Sequence, residues 1–163
     1  MNTHRLFFKY VISLLLLVNP MYSLAQTWPK IYGDNVHAYG KDVIESYDKG
    51  YTICGSILKD ADHFKFGWLI KTDINGNELW NKKFGNWNVE NSFYDFDKTG
   101  DNGFILSGST AQYDIEIDPL FVKLNSCGEI EWCKIFLTTG FNTANGIICL
   151  PDGEFLGMLQ YYG

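Results

Sequence analysis

The stretch Asp73-Ile74-Asn75-Gly76-Asn77-Glu78-Leu79-Trp80-Asn81-Lys82-Lys83-Phe84-Gly85 is repeated along this chain, and the repetition decides the fold. Upstream, Trp28, Lys30, Tyr32 and Gly33 restate its second half. Downstream, Asn125, Gly128, Trp132, Lys134 and Phe136 restate nearly all of it. Trp28 to Trp80 is 52 residues, and so is Trp80 to Trp132; Lys30, Lys82 and Lys134 keep the interval, as do Tyr32, Phe84 and Phe136. Self-similarity at such a period is the signature of a repeat architecture and outranks local propensity.

Within one period the pattern is that of short strands. Asp42–Tyr47, Tyr51–Ile57, Gly67–Thr72 and Glu78–Phe84 are β-branched and aromatic, and they are separated by polar stretches such as Asp48-Lys49-Gly50 and Asp73–Gly76. The next period gives Ser92–Phe96, Phe104–Ser109, Leu120–Leu124 and Ile130–Phe136, and a third opens with Ala144–Leu150 and Phe155–Leu159. No helical period appears, so the expected class is all-β. Four antiparallel strands per period match a β-propeller blade, whereas one coil of a β-helix is much shorter.

The expected layout is a partial propeller over 27–163: a lone outer strand at 28–33, blades at 34–85 and 86–137, and an incomplete blade at 138–163. Rings need about four to eight blades. The chain is therefore expected either to be a piece of a longer propeller or to complete rings from several copies. Alone it would leave unpaired edges and apolar blade faces.

Residues 1–26 read as a cleaved secretory signal peptide. His4, Arg5 and Lys9 precede the apolar run Val11–Val18, Asn19-Pro20 breaks it, and Ser23-Leu24-Ala25 supplies small residues for cleavage after Ala25 or Gln26. The run is too short for a transmembrane helix, and no Cys follows it to suggest a lipoprotein. The expected location is secreted or cell-surface.

Past that segment eleven Lys face nineteen acids, a net charge of −8 with no Arg. Nucleic-acid partners, which demand a basic surface and forked guanidinium contacts, are excluded, and an anionic membrane surface is disfavoured. An aromatic content of 17% supports a packed core. Cys54, Cys127, Cys133 and Cys149 could pair in an oxidising compartment in three ways. Cys127 and Cys133 stand where the preceding copy has Asn75 and Asn81, and they do not form a zinc spacing. Most of the four are expected to be free, half-buried thiols.

On the fourth strand Trp80, Lys82 and Phe84 share a face by alternation. The recurring rings are read as blade-to-blade packing, and the recurring Lys as a stem lying on that face with its ammonium at the rim. A catalytic Lys is the sharper reading, but three equivalents in three copies argue for structure. Gly76 and Gly128 serve as turn glycines. Asp73-x-Asn75-x-Asn77 and Asp97-x-Thr99-x-Asp101 suggest calcium loops, yet neither has Gly at the sixth place or Glu at the twelfth, so both read as turns and no metal is assigned.

The run Asp73-x-x-Gly76-x-x-x-Trp80, echoed by Asn125-x-x-Gly128-x-x-x-Trp132, resembles the docking motif of quinoprotein-like propellers, with a turn one residue shorter. Better, Gly50–Ser56 with Leu69–Gly85, and Gly103–Ser109 with Phe121–Phe136, resemble the secreted bacterial delta-60 repeat and its relatives in multi-repeat surface proteins. That resemblance implies a secreted or surface-displayed propeller without established chemistry, often followed by a type IX sorting domain, which is not visible here. The first would imply a quinone- and calcium-dependent enzyme, whose adjacent cysteines and cofactor-holding Arg this chain lacks.

In a propeller the loops joining strands two to three and four to one share one face. Here they carry Asp60, Asp62 and His63, then Asp114, Glu116 and Asp118. The leading expectation is a non-catalytic module whose acidic rim binds a glycan, protein or cation, with no cofactor. Its competitors are an extracellular propeller enzyme, either quinoprotein-like oxidoreductase or hydrolase, and a fragment without a function of its own. For any single rim residue a solvated loop charge is the plainer reading.

Overall fold

The computed structural model describes residues 29–33, 37–58, 64–86, 89–112 and 116–162; the signal-peptide segment, Trp28, Asp60, Asp62, His63 and Asp114 lie outside them. The chain divides into residues 1–30 and 31–163, and only Pro29 and Lys30 of the first unit are described.

The second unit holds ten strands: β1 Ala38–Glu45, β2 Tyr51–Leu58, β3 Lys65–Thr72, β4 Glu78–Phe84, β5 Val89–Lys98, β6 Phe104–Gln112, β7 Ile117–Leu124, β8 Ile130–Ile135, β9 Thr143–Cys149 and β10 Phe155–Gln160. Helices are absent among the described residues. The strands form three antiparallel sheets in chain order, β1-β2-β3-β4, β5-β6-β7-β8 and β9-β10. The all-β expectation holds at this level, and the ten strands expected between residues 42 and 159 are all present.

The first two sheets are built alike down to their irregularities. Both first strands carry a bulge, between Gly40 and Asp42 in β1 and between Phe93 and Asp95 in β5. Opposite each bulge sits a glycine with no room for a side chain: a methyl group on Gly55 would lie 1.9 Å from the Tyr39 carbonyl oxygen, and one on Gly108 2.0 Å from that of Ser92. The first turn of all three sheets is also the same. Ser46 N donates to Gly50 O at 2.8 Å, Thr99 N to Gly103 O at 3.0 Å and Leu150 N to Glu154 O at 2.7 Å, around a residue of positive φ at Lys49, Asn102 or Gly153.

The sheets pack face to face. Between the first and second lie Cys54, Leu69, Phe93, Phe96, Phe104, Leu106, Leu120, Val122 and Leu124, edged by Ile44, Trp80 and Phe84. Between the second and third lie Ile105, Phe121, Ala144 and Ile147. Ile57, Trp68 and Ile70 cover the remaining face of the first sheet, with Tyr32 against them. Neighbours such as Leu69 and Ile70, or Ile105 and Leu106, thus enter different cores, since alternate residues leave a strand on opposite faces. A sheet covered on both sides needs continuous apolar runs, and β3 and β7 have them.

Three expectations are corrected. Strand one ends at Glu45, not Tyr47, because Ser46 already closes the turn through both its N–H and its carbonyl. Residues 31–33 are not in a strand, although Tyr32 packs on the first sheet; a fourth strand needs a third beside it to bond, and none flanks this segment among the described residues. The cysteines are free, but only Cys149 is half-buried: Cys54 is fully buried, and Cys127 and Cys133 are exposed.

Candidate functional site

Antiparallel order puts the β1–β2 and β3–β4 turns at one end of a sheet and the β2–β3 loop with the sheet-to-sheet connection at the other. Of the six rim residues, two are described. Glu116 is exposed. Asp118 is engaged: its Oδ1 accepts from Thr138 N at 2.7 Å and Thr138 Oγ1 at 3.1 Å. Asn142, 1% exposed, extends this network by donating to Thr138 Oγ1 and Thr139 O, and its Oδ1 accepts from Tyr162 N at 2.7 Å. Asp118 therefore anchors the connection between the second and third sheets instead of facing a ligand. An isolated acidic residue in a loop gives no sign of such a partner twenty positions on.

The opposite end holds two buried ammonium groups. Lys71 and Lys123, each 7% exposed, occupy equivalent places in β3 and β7. Lys71 Nζ donates to both Asp48 oxygens at 2.7 Å and to Thr72 O; Lys123 Nζ donates to Asp101 Oδ2 at 2.7 Å, Glu131 Oε2 at 2.8 Å and Leu124 O. The Lys71 hydrogen bond holds the Asp48 carboxyl below its ordinary range, and those from Lys123 and Thr99 depress Asp101 further. Burial alone would lower the Lys123 ammonium, but its bonds to Asp101 and Glu131 outweigh that and raise it. Each Asp also accepts the N–H two residues on, Gly50 or Gly103, which fixes the turn. A 370 Å³ cleft beside Lys71 is lined by Ser46, Tyr47, Asp48, Asn102, Phe104 and Ser126. The lysine bordering it already donates to Asp48 and to the Thr72 carbonyl, which clasps the first turn to β3. Lys71 and Lys123 keep the 52-residue interval as the strand-four lysines do, but the spacing does not show which acids they meet.

A second set of carboxylates ties sheet to sheet. Asp95 Oδ2, on β5, accepts from Ile147 N of β9 at 2.8 Å, and Asp97 Oδ2 accepts from Cys149 N at 2.9 Å, both across 52 residues. Asp42, at the place in β1 that Asp95 takes in β5, contacts the backbone of Phe96 and lies against the Asp95 carboxylate; burial, then a hydrogen bond with Asp95 and its like charge, raise its pKa above the ordinary value. Tyr47 Oη donates to Thr99 O at 3.1 Å, again 52 residues away.

The residues that recur at the 52-residue interval make several contacts with neighbouring sheets and with one another. A methyl on Gly128 (φ 73°) would lie 2.9 Å from Trp80 Cη2 and 3.2 Å from Lys82 Cδ, so the ring and stem of β4 cap the next sheet's turn. One period earlier, Tyr32 Oη donates to Gly76 O at 2.7 Å. Phe84 meets Phe93 edge-on at 5.4 Å, and Trp132 lies 5.5 Å from Phe155. Lys82 Nζ sits 5.7 Å over Trp80 and Lys134 Nζ 5.2 Å over Phe136, which agrees with stems laid on an aromatic face. The loop at Asp73 is a turn: its Oδ1 accepts from the N–H groups of Asn75 and Asn77. Asn125 does the same for Cys127 and Glu129.

An apolar groove of 290 Å³ opens between the second and third sheets, lined by Phe121, Trp132, Phe136, Ile147, Phe155 and Leu159. No protein-family model and no curated protein matches the chain, so the delta-60 and quinoprotein resemblances rest on the motif residues alone.

Proposed function

We propose that the chain is a secreted or cell-surface β-propeller repeat module, each four-stranded sheet being a blade, and that it acts as a non-catalytic binding or scaffold unit. The observation that supports this most is the recurrence of one sheet-to-sheet contact set: first-strand Asp to the next first strand, and fourth-strand Trp onto the next turn glycine. Repetition about an axis reproduces such contacts, whereas a two-sheet sandwich has no third sheet to receive them.

The ordinary sources of reactivity are tied up. The two buried lysines are clasped, and burial, ahead of the charges of Asp42 and Asp95, pushes the Cys54 thiol far up, leaving it protonated. A ligand is then met by the loop end, since the sequences 59–63 and 113–116 that join β2 to β3 and β6 to β7 are rich in acidic residues. A glycan or a protein surface is the class that suits exposed loops on a rigid scaffold.

The test is binding of the exported chain to a glycan array and to immobilised matrix proteins. The expected result is saturable binding to one class, weakened tenfold or more when Asp60, Asp62, Asp114 and Glu116 are replaced together by their amides, with an unchanged thermal midpoint. Binding indifferent to those changes, no binding to any probe, or quinone-dependent oxidation of an alcohol or sugar would overturn the reading.

A further inference from the structure

The groove between the second and third sheets has a counterpart, already filled, between the first and second. There Leu69, Trp80 and Phe84 on one side and Phe104 and Leu106 on the other close on Leu120, Val122 and Leu124 of β7. At the later position Phe121, Trp132 and Phe136 face Phe155, Gly157 and Leu159, and the space that a third strand's side chains would take is open. Beside it, among the described residues, β10 pairs only with β9, so its outer edge presents free backbone donors and acceptors.

The third sheet also repeats the acid that receives a third-strand lysine. Asp48 clasps Lys71, and Asp101 clasps Lys123; each accepts the N–H two residues on. Asp152 sits at the same place in the β9–β10 turn, with its Oδ1 accepting from Glu154 N at 3.0 Å. Its carboxylate is poised where both earlier sheets place an ammonium.

We infer that the β10 edge is a docking site for an antiparallel strand of the β7 type: apolar residues at alternate positions filling the groove, and a lysine before the last of them reaching Asp152. Backbone pairing supplies affinity, and the groove with Asp152 supplies specificity, as in strand addition generally. In the register of β6 with β7, Ile105 faces Lys123. The incoming lysine therefore lies opposite Leu156, and the apolar residues flanking it opposite Phe155 and Gly157. The occupant is a strand of this chemistry and not β3 or β7 of a second copy, since both of those are bonded on both edges. The inference rests on the equivalence of the three sheets and holds whether or not a ring closes.

The experiment adds a fluorescent peptide with the sequence of residues 117–125 to the full chain and follows anisotropy. Saturable micromolar binding is expected, reduced tenfold or more when the peptide carries Lys123→Glu and recovered when that peptide meets the Asp152→Lys chain. Asp152 is exposed in a turn, so the variant is expected to fold; Leu159→Glu, which puts a charge into the groove, is a second variant and should abolish binding. Absence of saturable binding, a charge swap without recovery, indifference to Leu159→Glu, or a dimer in sedimentation that the peptide cannot displace would each overturn the proposal.

Discussion

The single residues with most at stake are the buried lysines and the acids that hold them. Replacing Asp101 by Asn leaves Lys123 with Glu131 and a carbonyl. With Asp101 itself half in solvent, the expected loss is about 1–2 kcal/mol, less than for a fully buried pair. The pH dependence has two opposing parts. Asp48 and Asp101 have depressed pKa values, so their stabilisation is present above the ordinary carboxylate range and is lost as the pH falls through their folded values. Asp42 is raised, so its contribution is present below that range and is lost as the pH rises through its folded value. Thermal midpoints measured from about pH 2 to 8 should show the acid limb flattened in Lys123→Met. Asp42→Asn should remove the decline just above the ordinary carboxylate value; an unchanged profile in either variant would contradict the assignment. Thiol chemistry is separable at the same scale. A thiol reagent should modify Cys127 and Cys133 in the native chain and reach Cys54 only on unfolding.

At the scale of elements, the contact of β4 with the following turn should matter more than that of β8 with β10. Trp80 caps Gly128 and edges the larger core, whereas Trp132, 38% exposed, meets only the rim of an open groove. Trp80→Ala should therefore cost about 3 kcal/mol and Trp132→Ala about 1, read from denaturant unfolding. Equal losses would count against the packing described. Asp97→Ala should free the Cys149 amide, and its hydrogen exchange should speed up tenfold or more while amides of β2 and β3 are unaffected. The strands themselves are legible in the sequence because Tyr51–Ile57 and its equivalents alternate or run apolar between Asp–Gly turns. What cannot be read there is which partner an in-strand Asp will find. Asp95 and Asp97 look like solvent-facing residues until a sheet 52 residues later presents its N–H groups. Lys71 and Lys123 recur at the 52-residue interval, but their role is hidden for a related reason: in a strand buried on both faces, alternation assigns no residue to water, and the clasping acid lies 23 or 22 positions away.

For the whole molecule, the repeat period carries the reading of successive antiparallel sheets in chain order, two of four strands and one of two among the described residues. The candidate site is less legible, since the loop acids depend on tertiary placement that local pattern does not encode, and Asp118 braces a connection. The central claim is that successive sheets are related by one rotation about a common axis. Lys49, Asn102 and Gly153 occupy the same place in the three first turns, as their shared positive φ shows. Spin labels at these positions, in a chain whose Cys127, Cys133 and Cys149 are replaced by Ser, give three distances by electron–electron resonance. The account predicts equal 49–102 and 102–153 distances and a 49–153 distance clearly shorter than their sum, as on an arc. Unequal neighbour distances, or three labels in a straight line, would contradict it.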